Sequence, residues 1–467
     1  MSLLSKIRGW FSMLFASKAK EEFNIEPISS EQMDQWITEC VNIYQGNPCW
    51  LNEEDNIDTV NMAKTICSEI SRLAMLATSI KLDGSARAEW LQKQVDGIYD
   101  QLRHWVEYGC AYGTVILKPN GNTVDLYTYD QFEITHVTNG KIDGVVFHNQ
   151  EKLGKKWYNR LEYHRFENGV YQISNKCFVG DSPNDTKDRI DIKLTPWADL
   201  AEETGVVNLK EPLFGVLRMP AANNISLNSP YGLPVFSEAI QELRDLDVAY
   251  SRNAKEIIDS KRIVLADDSI LAGSGYKVMQ SPMAAQAMAS RIGLPDMVKM
   301  VRGSGQENYY QEINPTLNTD IRLKGINSLL GQIGFKVGFS NGYFVFNEKT
   351  GMITATQVES DDRRTIQFIK DVRDKLQACL DSLINALSVF ADLYSFAPDG
   401  AYEVVYDFGD ITYNREEDRA RWWGYVQSGK IPAWKYFVKF EGMTEEDAKS
   451  MVAEAQPGNP TLFGGEE

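Results

Sequence analysis

Histidine is scarce in this chain and cysteine is scattered. The four histidines (His104, His136, His148, His164) and six cysteines (Cys40, Cys49, Cys67, Cys110, Cys177, Cys379) form no C-x-x-C, H-E-x-x-H or H-x3-H pattern. That excludes the ligand spacing of zinc sites and leaves free thiols, Cys379 among them, to act as small hydrophobes. Basic charge is also in short supply: 48 Lys and Arg against 65 Asp and Glu give a net charge of −17 and a pI near 4.9. Tight nucleic-acid binding rests on phosphate neutralisation, so the balance argues against a protein that grips DNA but not against one that lets DNA slide past. There is no G-x4-G-K-[ST], and the glycines of Gly273-Ser-Gly275 and Gly303-Ser-Gly305 read as turn glycines. No G-x-S-x-G or Cys/His grouping is present. Glu359, Asp361 and Asp362 could be drawn as a divalent-metal site, but a charged first helical turn accounts for all three. No cofactor, metal or catalytic residue is therefore expected, and the chain does not read as an enzyme. Outside the N-terminus nothing approaches ~18 consecutive apolar residues, so no membrane-spanning segment is expected.

What is present is a folded protein of 467 residues, 43 % hydrophobic, with the mass of about three ~150-residue domains. Its organising stretch is Phe335 to Phe390. The loop Gly338-Phe-Ser-Asn-Gly-Tyr-Phe-Val-Phe-Asn-Glu-Lys-Thr-Gly351 alternates side chains between two turn signals, as a projecting hairpin would. A buried strand is the competing reading for Phe344 and Phe346. Two overlapping capping boxes, Thr354 to Gln357 and Thr356 to Glu359, then open a helix of roughly 38 residues, its apolar stripe running from Val358 to Phe390.

Residues 1–22 place Leu3, Leu4, Ile7, Trp10, Phe11, Leu14 and Phe15 on one helical face, interrupted by Lys6 and Arg8. This is an amphipathic arm suited to a membrane surface or, preferably, to docking on protein. Residues 30 to 110 read as helical, including Val60 to Ile80. From Gly113 to Val179 the period becomes two, with Asn120-Gly121, Asn139-Gly140 and Asn168-Gly169 as hairpin turns. Asp181 to Leu209 is acidic and turn-rich, an irregular excursion. Leu213 to Met219 is strand-like, and a second strong helix carries Phe236, Ile240, Leu243, Leu246, Tyr250, Ala254 and Ile257. A small module at 263–312 separates it from a helix near Asp320 to Phe335. Tyr402 to Phe408 is strand-like, helices start at Glu416 and Thr444, and residues 456–467 have the composition of disorder. The fold class is α+β.

The order of several local motifs resembles the portal proteins of tailed bacteriophages, in particular those of phages and prophages of Gram-positive bacteria. The carriers are Tyr108-Gly-Cys-Ala-Tyr-Gly-Thr-Val, Glu162-Tyr-His-Arg-Phe, Pro220-Ala-Ala-Asn-Asn, Ser229-Pro-Tyr-Gly-Leu-Pro, Gly338-Phe-Ser-Asn-Gly-Tyr-Phe-Val-Phe, Thr354-Ala-Thr-Gln-Val-Glu-Ser and Tyr406-Asp-Phe-Gly-Asp-Ile. Gln357 stands where many relatives have Glu.

The resemblance covers nearly the whole chain and implies a dodecameric ring at one capsid vertex, through which double-stranded DNA is packaged and ejected. It implies a wing at 23–233, stem helices at 234–262 and 313–337, a clip at 263–312, a tunnel loop at 338–352, a long wing helix at 353–396 and a C-terminal wing and crown at 397–455. Asn341, Asn347, Glu348, Lys349 and Thr350 would touch DNA transiently, with Tyr343, Phe344 and Phe346 anchoring the loop against neighbouring loops. The implied partners are other copies of the chain, terminase, a head-tail adaptor, and the major capsid and scaffolding proteins. The implied location is the virion, after assembly in the host cytoplasm. A shorter type of ring-forming connector and a stand-alone phage enzyme are the rival classes. With no phosphate loop in the sequence, ATP turnover by the purified protein is expected to match buffer. A turnover that survives re-purification and disappears on a point substitution would overturn that expectation.

Overall fold

The computed structural model describes residues 15–51, 57–121, 123–183, 185–260, 263–267, 298–301, 310–313, 318–340, 342–345, 355–409 and 415–454. They form two compact units, one ending at Tyr406 and one beginning at Asp407. In the first unit, short polar side chains start the helices. Ser30 accepts from the Met33 amide at the head of α2 (Glu31–Tyr44), Asn61 from Lys64 at α3 (Met62–Ala74), and Ser85 from Ala88 at α4 (Ala86–Tyr112). Between α3 and α4 runs β1 (Ser79–Asp83), inside the stretch read as helical. The helical spacing ends at Ala74, and Ile80 and Leu82 alternate with exposed Lys81 and Asp83, which is strand period.

Two of the three Asn-Gly dipeptides form the expected turn, while Asn120 is instead the last paired residue of its strand, opposite Thr123. Asn139-Gly140 (φ 52 and 76) joins β4 (Phe132–Thr138) to β5 (Lys141–Leu153), and Asn168-Gly169 (φ 51 and 78) joins β6 (Lys156–Glu167) to β7 (Val170–Gly180). Both central residues are left-handed, the two-residue turn that matches strand twist. Strands β4 to β7 with β8 (Asp188–Ile190) form one antiparallel sheet, and β9 (Glu203–Val207) also pairs β7. The excursion after Asp181 thus supplies two short strands, of three and five residues, too short to show a hydrophobic period. A second sheet orders β10 (Gly215–Arg218), β2 (Thr114–Asn120) and β3 (Thr123–Tyr127). Ile116, Tyr127, Phe132, Phe147, Tyr171, Leu213, Phe214 and Ala386 share one buried core between the sheets and the long helix.

The expected N-terminal arm is described from residue 15 as α1 (residues 15–23). It lies on the outer face of the larger sheet, with Ala19 buried against Val146, Leu161 and Phe178. The expected long helix is α7 (Ala355–Leu393), 39 residues, which follows α5 (Ile240–Asp259) and α6 (Thr319–Val337) in the chain. By length and composition its Arg363–Leu393 part is apolar enough to cross a membrane. Its apolar stripe, however, from Ile369 through Leu376, Leu380, Leu383 and Leu387 to Ala391, is buried within the unit. Gly215 makes this possible, since a Cβ there would sit 2.2 Å from the Cys379 carbonyl oxygen of α7. Helix and strand meet backbone to backbone.

Between α5 and α6 come β11 (Ile263–Asp267), β12 (Val298–Val301) and β13 (Tyr310–Ile313), a three-stranded sheet with β11 central, parallel to β12 and antiparallel to β13. β14 (Glu403–Asp407) pairs β1. The second unit holds α8 (Arg415–Gln427), α9 (Ala433–Glu441) and α10 (Glu445–Glu454). Its small core is aromatic: Tyr436 packs on Phe440 at 4.9 Å and on Trp423 at 5.2 Å. The sequence reading passed over α9, whose Tyr436, Phe437, Val438 and Phe440 suit either a short strand or a short helix.

Two arginines brace elements by donating to carbonyls near helix ends. Arg373 of α7, buried, donates to Leu73, Ala74 and Leu76 oxygens at the end of α3, at 3.0, 2.9 and 3.2 Å. Arg87 of α4 donates to Ser388, Ala397 and Pro398 oxygens at 2.5, 3.0 and 3.0 Å and pairs with Asp392. A buried carbonyl left without a donor costs about 1–3 kcal/mol. The Leu73 oxygen also accepts from the Leu76 amide and the Ala74 oxygen from Thr78 Oγ1, so Arg373→Met, which keeps most of the volume, should lower stability by about 1–3 kcal/mol, read as a lower urea midpoint. An unchanged midpoint would show that water replaces the guanidinium there.

Candidate functional site

The base of the loop after α6 is built by close approach. Gly338 ends the helix at φ 108 with the Phe368 ring so near that a Cβ would lie 2.9 Å from it, so this left-handed position suits glycine on both counts. Ser340 and Thr365 then lock the loop to α7, with the Ser340 amide donating to Thr365 Oγ1 at 2.8 Å and the two buried hydroxyls 3.0 Å apart. Phe339, fully buried, is the hub of an aromatic cluster, its ring centroid 4.7 Å from Tyr343, 4.8 Å from Phe344 and 6.3 Å from Phe368.

Of the residues expected to contact DNA or anchor the loop, only Tyr343 and Phe344 are among those described; Asn341, Phe346, Asn347, Glu348, Lys349 and Thr350 lie outside them. Residues 342–344 form a turn rather than a strand, with Gly342 at φ 82. The anchoring contacts are made inside the chain. Phe344 packs edge-to-face on Phe339 beside Gly334, and Tyr343 donates its hydroxyl to Glu69 of α3. Arg72 clasps the same carboxylate at 2.6 and 2.8 Å and holds it below the usual carboxylate range. Glu69 and Arg72 escaped the sequence reading because an i, i+3 charged pair on a helix is ordinarily a solvated face.

The helix pair that precedes the loop runs antiparallel. Lys336 near the end of α6 pairs with Glu242 near the start of α5 at 2.6 Å, and Arg322 near the start of α6 pairs with Glu256 near the end of α5. Leu243 and Leu246 are buried, whereas Tyr250, Ile257, Ile258, Ile321 and Phe335 are exposed, Ile321 by 73 %. The apolar stripe read from the sequence thus has an inner half covered by the chain and an outer half that it leaves bare.

A second constellation sits between the two sheets. On β6, Glu162 receives Lys118 of β2 at 2.6 Å, Arg160 at 3.0 Å, His164 at 2.7 Å and Asn149 of β5 at 3.1 Å. His164 turns its other ring nitrogen to the Tyr171 hydroxyl at 2.5 Å. Lys118, Arg160, Glu162 and His164 are all buried. Burial opposes ionisation of Glu162, but Lys118, His164 and Arg160 outweigh it and keep the carboxyl well below its ordinary range; burial pulls Lys118 and His164 down. The signal in the sequence was three polar residues, Arg160, Glu162 and His164, on alternate positions of a strand, where a buried face calls for apolar ones.

On the outer face of the same sheet, the cavity beneath α1 has a volume of about 20 Å³ and is lined by Phe15, Asp130, Glu133 and His148, enough for about one water. The Phe15 and His148 ring centroids are 3.5 Å apart, and His148 Nε2 lies 3.0 Å from Asn159 Oδ1.

No protein-family model matches the chain, and no curated protein is similar to it in sequence. Among solved structures, a chain from the virion of a native gene transfer agent particle aligns with 87 % of this chain and 93 % of its own length. Its TM-score is 0.43 and its identity 11 %.

The cavity sets an opposed pair of titrations. Burial lowers His148 to about 4 and raises Glu133 to about 7. A histidine with a depressed folded pKa loses stability as pH falls from about 6.5 toward 4, and a carboxyl with a raised one loses stability as pH rises from about 4.5 to 7. Relative to wild type, Glu133→Gln should therefore gain stability with rising pH across 4.5–6.5, and His148→Asn should lose it. Each slope is bounded by about 1.4 kcal/mol per pH unit. Urea midpoints at pH 4.5, 5.5 and 6.5 check the signs; parallel curves for wild type and both variants would show the cavity does not titrate.

Proposed function

We propose that this chain is a portal-type protein: a subunit of a ring at a capsid vertex through which double-stranded DNA passes, and a structural component rather than an enzyme. The observation that carries the reading is the order of elements around the helix pair. An α+β body leads into α5, then the three-stranded sheet of β11 to β13, then the antiparallel return α6, then an aromatic-based loop, then α7 back along the body. In this reading the body is the wing, α5 and α6 are the stem, the small sheet is the core of the clip, and the second unit belongs to the crown. The ordered sequence motifs that resemble portal proteins fall along the same path. Two of them meet in the fold, where Gly113 and Gly232 come so close that a Cβ on either would lie 2.4 Å from the other's carbonyl oxygen.

Two physical features support the assignment. Tyr250, Ile257, Ile258, Ile321 and Phe335 give the helix pair an exposed apolar outer half, and contacts of unlike patches that close on themselves make rings. The net charge of −17 suits a conduit, since a wall rich in Lys and Arg would exchange counterions with each passing phosphate. Asn341 and the tip residues Asn347 to Thr350 are the part assigned to DNA, on a base fixed to α3, α6 and α7. Terminase and a head-tail adaptor would dock at the clip, and the capsid and scaffolding proteins around the body.

Electron microscopy of the purified chain is expected to show closed rings with a central hole; monomers or dimers across a wide concentration range would sink the reading. Replacing residues 345–350 by a short Gly-Ser link should leave rings and melting temperature nearly unchanged while lowering DNA packaging or retention. Aggregation of that variant would mark the segment as core, and normal packaging by intact rings would remove its role on DNA.

A further inference from the structure

The cluster between the sheets is more specific than a buried ion pair needs to be. Lys118 Nζ and Asn149 Nδ2 both donate to one oxygen, Glu162 Oε2, at 2.6 and 3.1 Å. The Asn149 carbonyl oxygen is held by the Tyr127 hydroxyl at 2.5 Å. The ammonium lies 5.3 Å from the Tyr127 ring centroid and 5.1 Å from that of Phe147. An amine, a carboxamide and a carboxylate that touches both are thus enclosed by aromatic rings.

We propose that Lys118 and Asn149 are joined in the mature protein by an amide cross-link between their side chains, formed by the folded chain itself with Glu162 as the proton carrier. The Lys118 ammonium gives a proton to Glu162 Oε2, and the freed lone pair attacks Cγ of Asn149. The Tyr127 hydroxyl stabilises the oxyanion that develops on Oδ1, as a preorganised donor does. Glu162 passes the proton to Nδ2, the second proton of Nζ follows by the same carboxylate, and the departing nitrogen leaves as ammonium. One C–N bond forms and one breaks; an ammonium and a carboxamide give a secondary amide and an ammonium. No oxidant, cofactor or metal is required.

The surroundings favour deprotonation of the amine and fix the carboxylate in place, while the surrounding cations leave Glu162 a weak base. Burial lowers the cost of deprotonating Lys118. Arg160 at 3.0 Å and His164 at 2.7 Å fix the carboxylate between amine and amide, so both act as positioning residues. Lys118 belongs to the three-stranded sheet and Asn149 to the larger one, so the bond would tie the two sheets of the body together. It does not depend on what the body assembles into.

The test is the intact mass of the denatured wild-type chain, expected about 17 Da below that of its sequence. Fragmentation of a proteolytic digest should place the junction between Lys118 and Asn149. Lys118→Met, Asn149→Ala and Glu162→Gln should each show the full mass of their own sequence. A wild-type chain at full mass overturns the proposal without any variant having to fold. A deficit that persists in Lys118→Met also overturns it, because cyclisation at an Asn-Gly turn produces the same loss.

Discussion

The body of the protein depends on one long helix being covered along a single side. A helix of 39 residues seldom persists in water on propensity alone, so the packing of its stripe fixes where everything else lies. At Gly215 the strand β10 presses against the helix backbone, and β10 carries β2 and β3 with it. From the same helix Arg373 reaches the end of α3, while Ser388 and Asp392 receive Arg87 from α4. Sheet and helices are thus referenced to one rod, by a backbone contact in one place and by guanidinium forks in two others.

Much of this was legible because local signals and global fold agree. The Asn-Gly dipeptides set two hairpins whose dihedrals are those the turn demands, and Ser30 marks the start of a helix by a bond it makes. The long helix announced itself by its period. What escaped was whatever depends on a partner far along the chain. β1 is a strand because β14 lies beside it, and the alternation from Ile80 to Asp83 is too short to outweigh the helical spacing that precedes it. β8 and β9 are too short to show a period and borrow their order from β7.

The candidate sites divide along the same line. The loop was recognisable from its glycines and aromatics, and Phe339, Tyr343 and Phe344 do cluster. Its fastening to Glu69 and Arg72 was not, because those residues look like an ordinary solvated pair until the tyrosine is placed beside them. The cluster around Glu162 was half visible: the alternating Arg160, Glu162 and His164 are anomalous for a buried face, but Lys118 and Asn149 reach it from two other strands. A charge buried in a sheet core is tolerated only when its partners are complete, and here completeness required three strands to arrive together.

The pairing of β1 with β14 also constrains how the chain is made. β1 ends at Asp83 and its partner begins at Glu403, and the carbonyls that receive Arg87 come from residues 388 to 398. Synthesis at about 5–20 residues per second puts roughly 15–60 s between the two halves of these contacts. During that interval α3, α4 and the first sheets leave the ribosome with the surface meant for α7 uncovered. A nascent chain of this kind is a client for holding chaperones, and one cut short before residue 400 should be a target for proteases.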